Sequence, residues 1–180
     1  MSPEDEAENV NTSPERLTEL AEHQYWEVRA RVAGNPSTPT EVIVSFASSE
    51  DSRERSGSAG NPGTPAEFLA QLAGDESWIV RTSVASNPST PSEVLAVLAS
   101  DESADVRRNV GMNTNAPREL LTLLARDDNK SVRWRVAENS NTPLDDLLIL
   151  ARDPENSVRN GVTKNPNASD EIRSIASTKP

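Results

Sequence analysis

An asparagine recurs every 26 residues along this chain, at Asn35, Asn61, Asn87, Asn113, Asn139 and Asn165, and Asn9 extends the series backwards. A single-core globule has no use for so regular a spacing, whereas a stack of like units requires it. With each asparagine as position 1, the repeats run 9–34, 35–60, 61–86, 87–112, 113–138 and 139–164, with a partial repeat over 165–180. Residues 9–180 read as one repeat domain, preceded by a short acidic lead over 1–8 that is expected to be disordered.

Each column of the repeat has a physical job. Asn-Pro biases the asparagine toward extended backbone and so ends the preceding helix. Thr-Pro-x-Glu, at Thr38–Glu41, Thr64–Glu67 and Thr90–Glu93, predicts a helix start. Threonine is placed to cap, proline suits the first helical position, and glutamate closes a capping box. Apolar residues at positions 8, 9, 12 and 13, such as Val42, Ile43, Phe46 and Ala47, share one helical face. Position 12 is large in every full repeat, from Leu20 to Leu150, and position 13 is always alanine, from Ala21 to Ala151. That alanine is expected to let neighbouring helices approach. The second half carries Asp-x4-Val-Arg with a further valine four residues on, as in Asp75, Val80-Arg81 and Val84. It predicts a second, shorter helix that is a candidate for 3₁₀ geometry. No segment alternates with period two, so no β-strand is expected. The fold class is all-α, an α-solenoid of two-helix repeats.

Composition agrees. Only 34% of the 180 residues are hydrophobic and 3% aromatic, which suits a thin core renewed in every repeat. The net charge of −11 argues against duplex binding, which needs a basic face. With no cysteine, disulfides, thiolate chemistry, iron–sulfur clusters and cysteine zinc sites are excluded. The start MSPEDEAENV lacks the order of a signal peptide, and no apolar run approaches the ~18 residues of a membrane span. His23 is the one histidine, and neither Gly-x-Ser-x-Gly nor a Gly-rich phosphate loop occurs. The expectation is a cytoplasmic, monomeric, non-enzymatic chain without cofactor or membrane segment.

The pattern Asn-Pro-x-Thr-Pro-x-Glu-x-Leu-x-x-Leu-Ala-x-Asp, followed by Val-Arg-x-x-Val-Ala, resembles the variant leucine-rich repeat over about Asn9 to Ser177. The resemblance implies a right-handed superhelix of α-helices and short helices that lacks the strands of true leucine-rich repeats. It points to protein interaction and implies no shared catalytic activity. An iron–sulfur segment found in some members does not carry over to a chain without cysteine. The Asp-x4-Val-Arg piece also resembles HEAT repeats, whose second helices line a concave face.

Two columns invite a functional and a structural reading. Arg29, Arg55, Arg81, Arg107, Arg133 and Arg159 are either a cation row for a ligand or a ladder paired with Asp75, Asp101, Asp127 and Asp153; recurrence in every repeat favours the ladder. The asparagines are favoured as ties between turns, because an amide donates and accepts together. Positions that vary are better candidates for binding. Positions 22 and 23 follow the ladder arginine and are expected to face outward, offering Arg31, Arg108, Asn109, Trp134, Arg135 and Asn160 to a protein or peptide partner. Trp134 with Arg108 and Arg135 forms the proposed patch, against the alternative that Trp134 folds over a neighbouring repeat. Trp26 and Trp78, both at position 18, are expected to pack over the edge. Rival functions are a HEAT-like nucleic-acid binder or DNA glycosylase using Trp134, Arg135 and Arg108, and a structural spacer in a larger protein. The repeat 35–60 departs from the pattern: Glu54 and Ser58 replace valines and Ser56-Gly57 adds flexibility, which reads as degeneration. Asp146 similarly replaces an apolar residue.

Overall fold

The apolar stripes do become paired helices in the computed structural model, which describes residues 1–178. Lys179 and Pro180, assigned above to the partial seventh repeat, lie outside the described residues. Fourteen helices and no strand occur among the described residues: α1 (Pro3–Glu8), α2 (Pro14–Leu20), α3 (Trp26–Gly34), α4 (Thr40–Ala47), α5 (Ser52–Gly60), α6 (Ala66–Leu72), α7 (Trp78–Ser86), α8 (Ser92–Leu98), α9 (Ala104–Met112), α10 (Arg118–Leu124), α11 (Lys130–Glu138), α12 (Leu144–Leu150), α13 (Asn156–Lys164) and α14 (Asp170–Ser177). The chain divides into two compact units, Met1–Val94 and Leu95–Pro180.

Within each unit the second helices of successive repeats pack along their length, α3 on α5 on α7 in one and α9 on α11 on α13 in the other. First helices of successive repeats touch sparsely. Leucine at position 9 (Leu17, Leu69, Leu95, Leu121, Leu147) and the large residue at position 12 are buried in every full repeat that carries them, as are Val28, Val80, Val106, Val132 and Val158 of the second helices. The core is thus one layer deep and renewed every 26 residues.

Four expectations need correcting. Residues 3–8 are helical rather than disordered: Ser2 and Asp5 close a capping box on α1, and Ala7 is fully buried. This segment packs on α3 as a second helix would, with Ala7 at the place that Ala33 and Ala59 hold in the next two second helices. The second helices are nine-residue α-helices, longer than the first helices of seven or eight. Threonine at position 4 does not cap the following helix. The N-cap of α4, α6, α10 and α12 is the next residue, proline, without a side-chain bond. The threonine hydroxyl instead donates backwards to the carbonyl six residues earlier, Thr38 to Val32 and Thr90 to Val84, both at 2.6 Å. Finally, Gly57, expected to add flexibility, sits at a close approach between second helices, as Gly161 does. A Cβ on Gly57 would lie 2.6 Å from the Ala30 carbonyl oxygen, and one on Gly161 would lie 2.9 Å from the Ala137 Cβ. Gly57 therefore serves close packing of α5 on α3, not flexibility.

The asparagine column joins repeats. Asn61 is fully buried, and its amide nitrogen donates to the carbonyl of Asn35 (2.7 Å), which opens the preceding repeat, and to that of Ala33 (2.9 Å), near the end of the repeat before that. Its side-chain oxygen accepts from the Gly63 amide at 2.9 Å. Asn35, Asn87, Asn139 and Asn165 make the same two donations.

The departures from the pattern are compensated, not degenerate. Ser49 stands at position 15, where later repeats have aspartate, and Glu54 supplies the missing anion from position 20. Glu54 is only 5% exposed; it accepts from Arg29 Nε of the preceding repeat at 2.7 Å and from Ser49 Oγ at 2.7 Å. Ser58 donates to the Ile43 carbonyl. Asp146, 2% exposed, likewise accepts from Thr122 and Arg126 of the preceding repeat.

Two outcomes follow. Asn61→Ala should destabilise by about 3 kcal/mol in urea unfolding, because two buried carbonyls lose their donor, and Asn61→Asp should be no better, since a carboxylate cannot donate to them. Glu54→Val restores the commoner residue yet should cost about 2 kcal/mol by stranding Arg29. Adding Ser49→Asp should recover most of it, giving a coupling of about 1 kcal/mol or more in a double-mutant cycle; additive effects would show that Glu54 is not the substitute anion.

Candidate functional site

The arginine column is absorbed by the stack. Nη1 of each arginine donates to turn carbonyls of its own repeat: Arg55 to Ser49 and Glu50, Arg81 to Asp75 and Glu76, Arg107 to Asp101 and Glu102, and Arg133 to Asp127 and Asp128. Nε and Nη2 then fork onto the aspartate of the following repeat, Arg55 on Asp75, Arg107 on Asp127 and Arg133 on Asp153, with Nε at 2.6–2.7 Å. Each aspartate also accepts from the amide two residues on, as Asp75 does from Ser77, Asp101 from Ser103, Asp127 from Asn129 and Asp153 from Glu155. His23 fills this place in the first repeat: its Nδ1 accepts from the Tyr25 amide, and its carbonyl accepts from Arg29. Burial works to raise the carboxyl pKa of Asp75 and Asp127, but the arginine fork and the backbone amide outweigh it and hold both below the ordinary value. The same forks raise the pKa of Arg55, Arg107 and Arg133.

The variable positions divide. Trp134 and Arg135 come together on α11, with the Arg135 guanidinium 4.1 Å from the Trp134 ring centre. Trp134 also folds over the next repeat, its Cδ1 within 3.0 Å of where a Cβ on Gly161 would sit. Arg108 and Asn160 occupy its position on the flanking helices α9 and α13; Arg108 is partly exposed and paired with Asp105, and Asn160 is exposed. Asn109 does not face outward: it is 7% exposed and donates back to the Asp105 carbonyl of its own helix. Arg31 belongs to the N-terminal unit, exposed, with its guanidinium 3.8 Å from Glu8. Trp26 is half-buried beneath Arg53, 3.5 Å away, whereas Trp78 is half exposed instead of packed over the edge.

Beside Arg135 lies a cleft of about 240 Å³, lined also by Met112, Thr114, Glu138, Ser140 and Pro166. Arg135 reaches Glu138 at 3.1 Å. A second feature escaped the sequence reading. Val97, Leu123 and Ile149, all at position 11 of the first helices, are 65, 55 and 44% exposed. The signal was present, since the same position holds Glu19, Ser45 and Gln71 in the first three repeats. Among the described residues, no cluster of three or more His, Cys, Asp or Glu is placed to hold a metal, and no helix is long and apolar enough to cross a membrane.

These features define an all-helical repeat solenoid. The family model for the leucine-rich repeat variant matches residues 78–103. The chain is similar to a solved leucine-rich repeat variant with a novel repetitive structural motif, at 30% identity and a TM-score of 0.62, over 93% of this chain and 72% of that one. The chain belongs to the leucine-rich repeat variant family. It also shares its fold with E. coli YibA, at 19% identity and a TM-score of 0.57, over 96% of this chain and 71% of that one. No curated protein matches the sequence.

The depressed carboxyl pKa values set the sign of the acid response. A folded-state value below the unfolded one adds stability above the unfolded carboxyl pKa, about 3.9, and that stability is lost as pH falls through the folded value. Thermal melting should therefore be flat near neutrality and drop steeply below about pH 4. Asp127→Asn should melt earlier at pH 7 and show a shallower drop; an unchanged acid limb would remove Asp127 from the account.

Proposed function

We propose that this chain is a non-catalytic scaffold that binds a protein or peptide segment on the surface of its second helices. The observation that carries the reading is the Arg135–Trp134 stack beside the cleft lined by Met112 and Pro166. Unlike the ladder arginines, these side chains are not required by stacking, since other repeats place different residues there. An aromatic ring backed by a guanidinium is a common anchor at protein interfaces. Rigid neighbours on α9 and α13 hold it in place and lower the ordering cost of binding.

Charge speaks against a nucleic-acid groove. Arg107, Arg108, Arg133 and Arg135 each have a carboxylate partner within the C-terminal unit, so little positive charge is left over for phosphates. The reading keeps the chain a cytoplasmic monomer that works without a cofactor.

Affinity capture tests it. Trp134→Ala with Arg135→Ala should weaken recovery of a specific partner about 30-fold in Kd, the effect of losing a hot spot worth about 2 kcal/mol, while Trp78→Ala on the other unit should leave recovery unchanged. Equal recovery by the double variant would rule out this surface, and a salt-sensitive gel shift with DNA or RNA would transfer the assignment to nucleic acid.

A further inference from the structure

The arginine ladder has one member whose fork is not filled. Arg159 is only 6% exposed, and its Nη1 donates to the Asp153 and Pro154 carbonyls as its counterparts do to theirs. Among the described residues its Nη2 reaches only Asn156 Oδ1, at 3.3 Å, and its Nε has no hydrogen-bond partner. In Arg55, Arg107 and Arg133 the same two nitrogens hold an aspartate that follows 20 residues later. Twenty residues after Arg159 the sequence has Lys179, a cation in the column where the guanidinium takes an anion.

Beside Arg159 is a cavity of about 300 Å³ lined by Ala151, Arg152, Arg159, Ile175 and Thr178. Arg152 is exposed and adds a second positive charge at its rim, while Ala151 and Ile175 give it apolar wall.

We propose that this cavity is a carboxylate-binding site, with Nε and Nη2 of Arg159 forking the two oxygens of an incoming carboxylate. The ladder shows the chemistry three times over: a planar anion on a short aliphatic stem, held by two charge-assisted bonds. A guanidinium withdrawn from water without a counter-ion is costly, and an arriving carboxylate relieves that cost. The ligand class is a carboxylate, either on a small acid or as the side chain of an acidic residue in another polypeptide.

The experiment follows the Arg159 Nε–H resonance by NMR in the full chain, assigned with Arg159→Lys. Sodium acetate is one probe. A C-terminally amidated peptide with the sequence of residues 113–127, ending in the aspartate that Arg107 grips, is the second, and its Asp→Asn version, also amidated, the third. Sodium chloride at matched ionic strength is the control. Acetate and the aspartate peptide should shift the resonance saturably, and the Asn peptide should bind at least tenfold more weakly than its parent. Because that comparison leaves the protein intact, it holds even if Arg159→Lys is poorly folded. A peptide at least tenfold tighter than acetate assigns the site to a polypeptide ligand, and equal affinity assigns it to small acids. No saturable shift beyond chloride with either carboxylate would overturn the proposal.

Discussion

The structure depends on one buried amide per repeat. The asparagine at position 1 ends a helix, turns the chain with its oxygen, and gives its two amide hydrogens to the carbonyls 26 and 28 residues earlier, across the boundary between the two repeats before it. Short helices of seven to nine residues are marginal alone, and buried carbonyls at their ends need partners. The asparagine answers both needs with a single side chain, so each repeat is completed by the next. Threonine at position 4 adds a hydroxyl to the same helix end. Removing either group exposes a fault in two repeats at once.

Against that uniform tie, the exceptions give the repeats individuality. Glu54 and Asp146 put charge where the pattern has a hydrophobe, and both find their cation on the preceding repeat, at Arg29 and Arg126. A buried carboxylate is tolerable only beside its partner. Such pairs therefore favour one order of neighbours over any other, which a perfectly repetitive sequence would leave open. The same logic makes the unfilled Arg159 fork conspicuous: it is the ladder's chemistry without the ladder's anion.

Function has to be sought in what stacking does not use. Apart from the Arg159 fork, ladder arginines and asparagines are consumed internally, and most remaining cations are paired. What is left is local: the Trp134–Arg135 stack with its cleft, the exposed apolar row of Val97, Leu123 and Ile149, and the cavity at Arg159. A stack of rigid elements presenting variable side chains at a fixed spacing suits recognition of an extended partner.

The 26-residue spacing and the two apolar stripes by themselves determined the all-helical repeat architecture and the faces that turn inward, since burial of a stripe with helical period leaves few other solutions. The sequence also marked Arg107, Asn61 and their columns as recurrent, because recurrence is visible in a string of letters. It did not say that Thr38 bonds backwards instead of capping forwards, because one hydroxyl can serve either helix end and only the packed turn chooses. It did not place Ala7 in a core, because α1 has too few residues to show a period. It set Asn109 facing outward, and misread Glu54 and Gly57 as decay, since pairing and close approach are properties of two neighbouring repeats and neither is written in one. Tertiary structure decided Glu54 and Gly57 for one physical reason: the partner that satisfies the buried charge, or forbids the Cβ, lies some 20 to 30 residues away along the chain, and only folding brings it within reach.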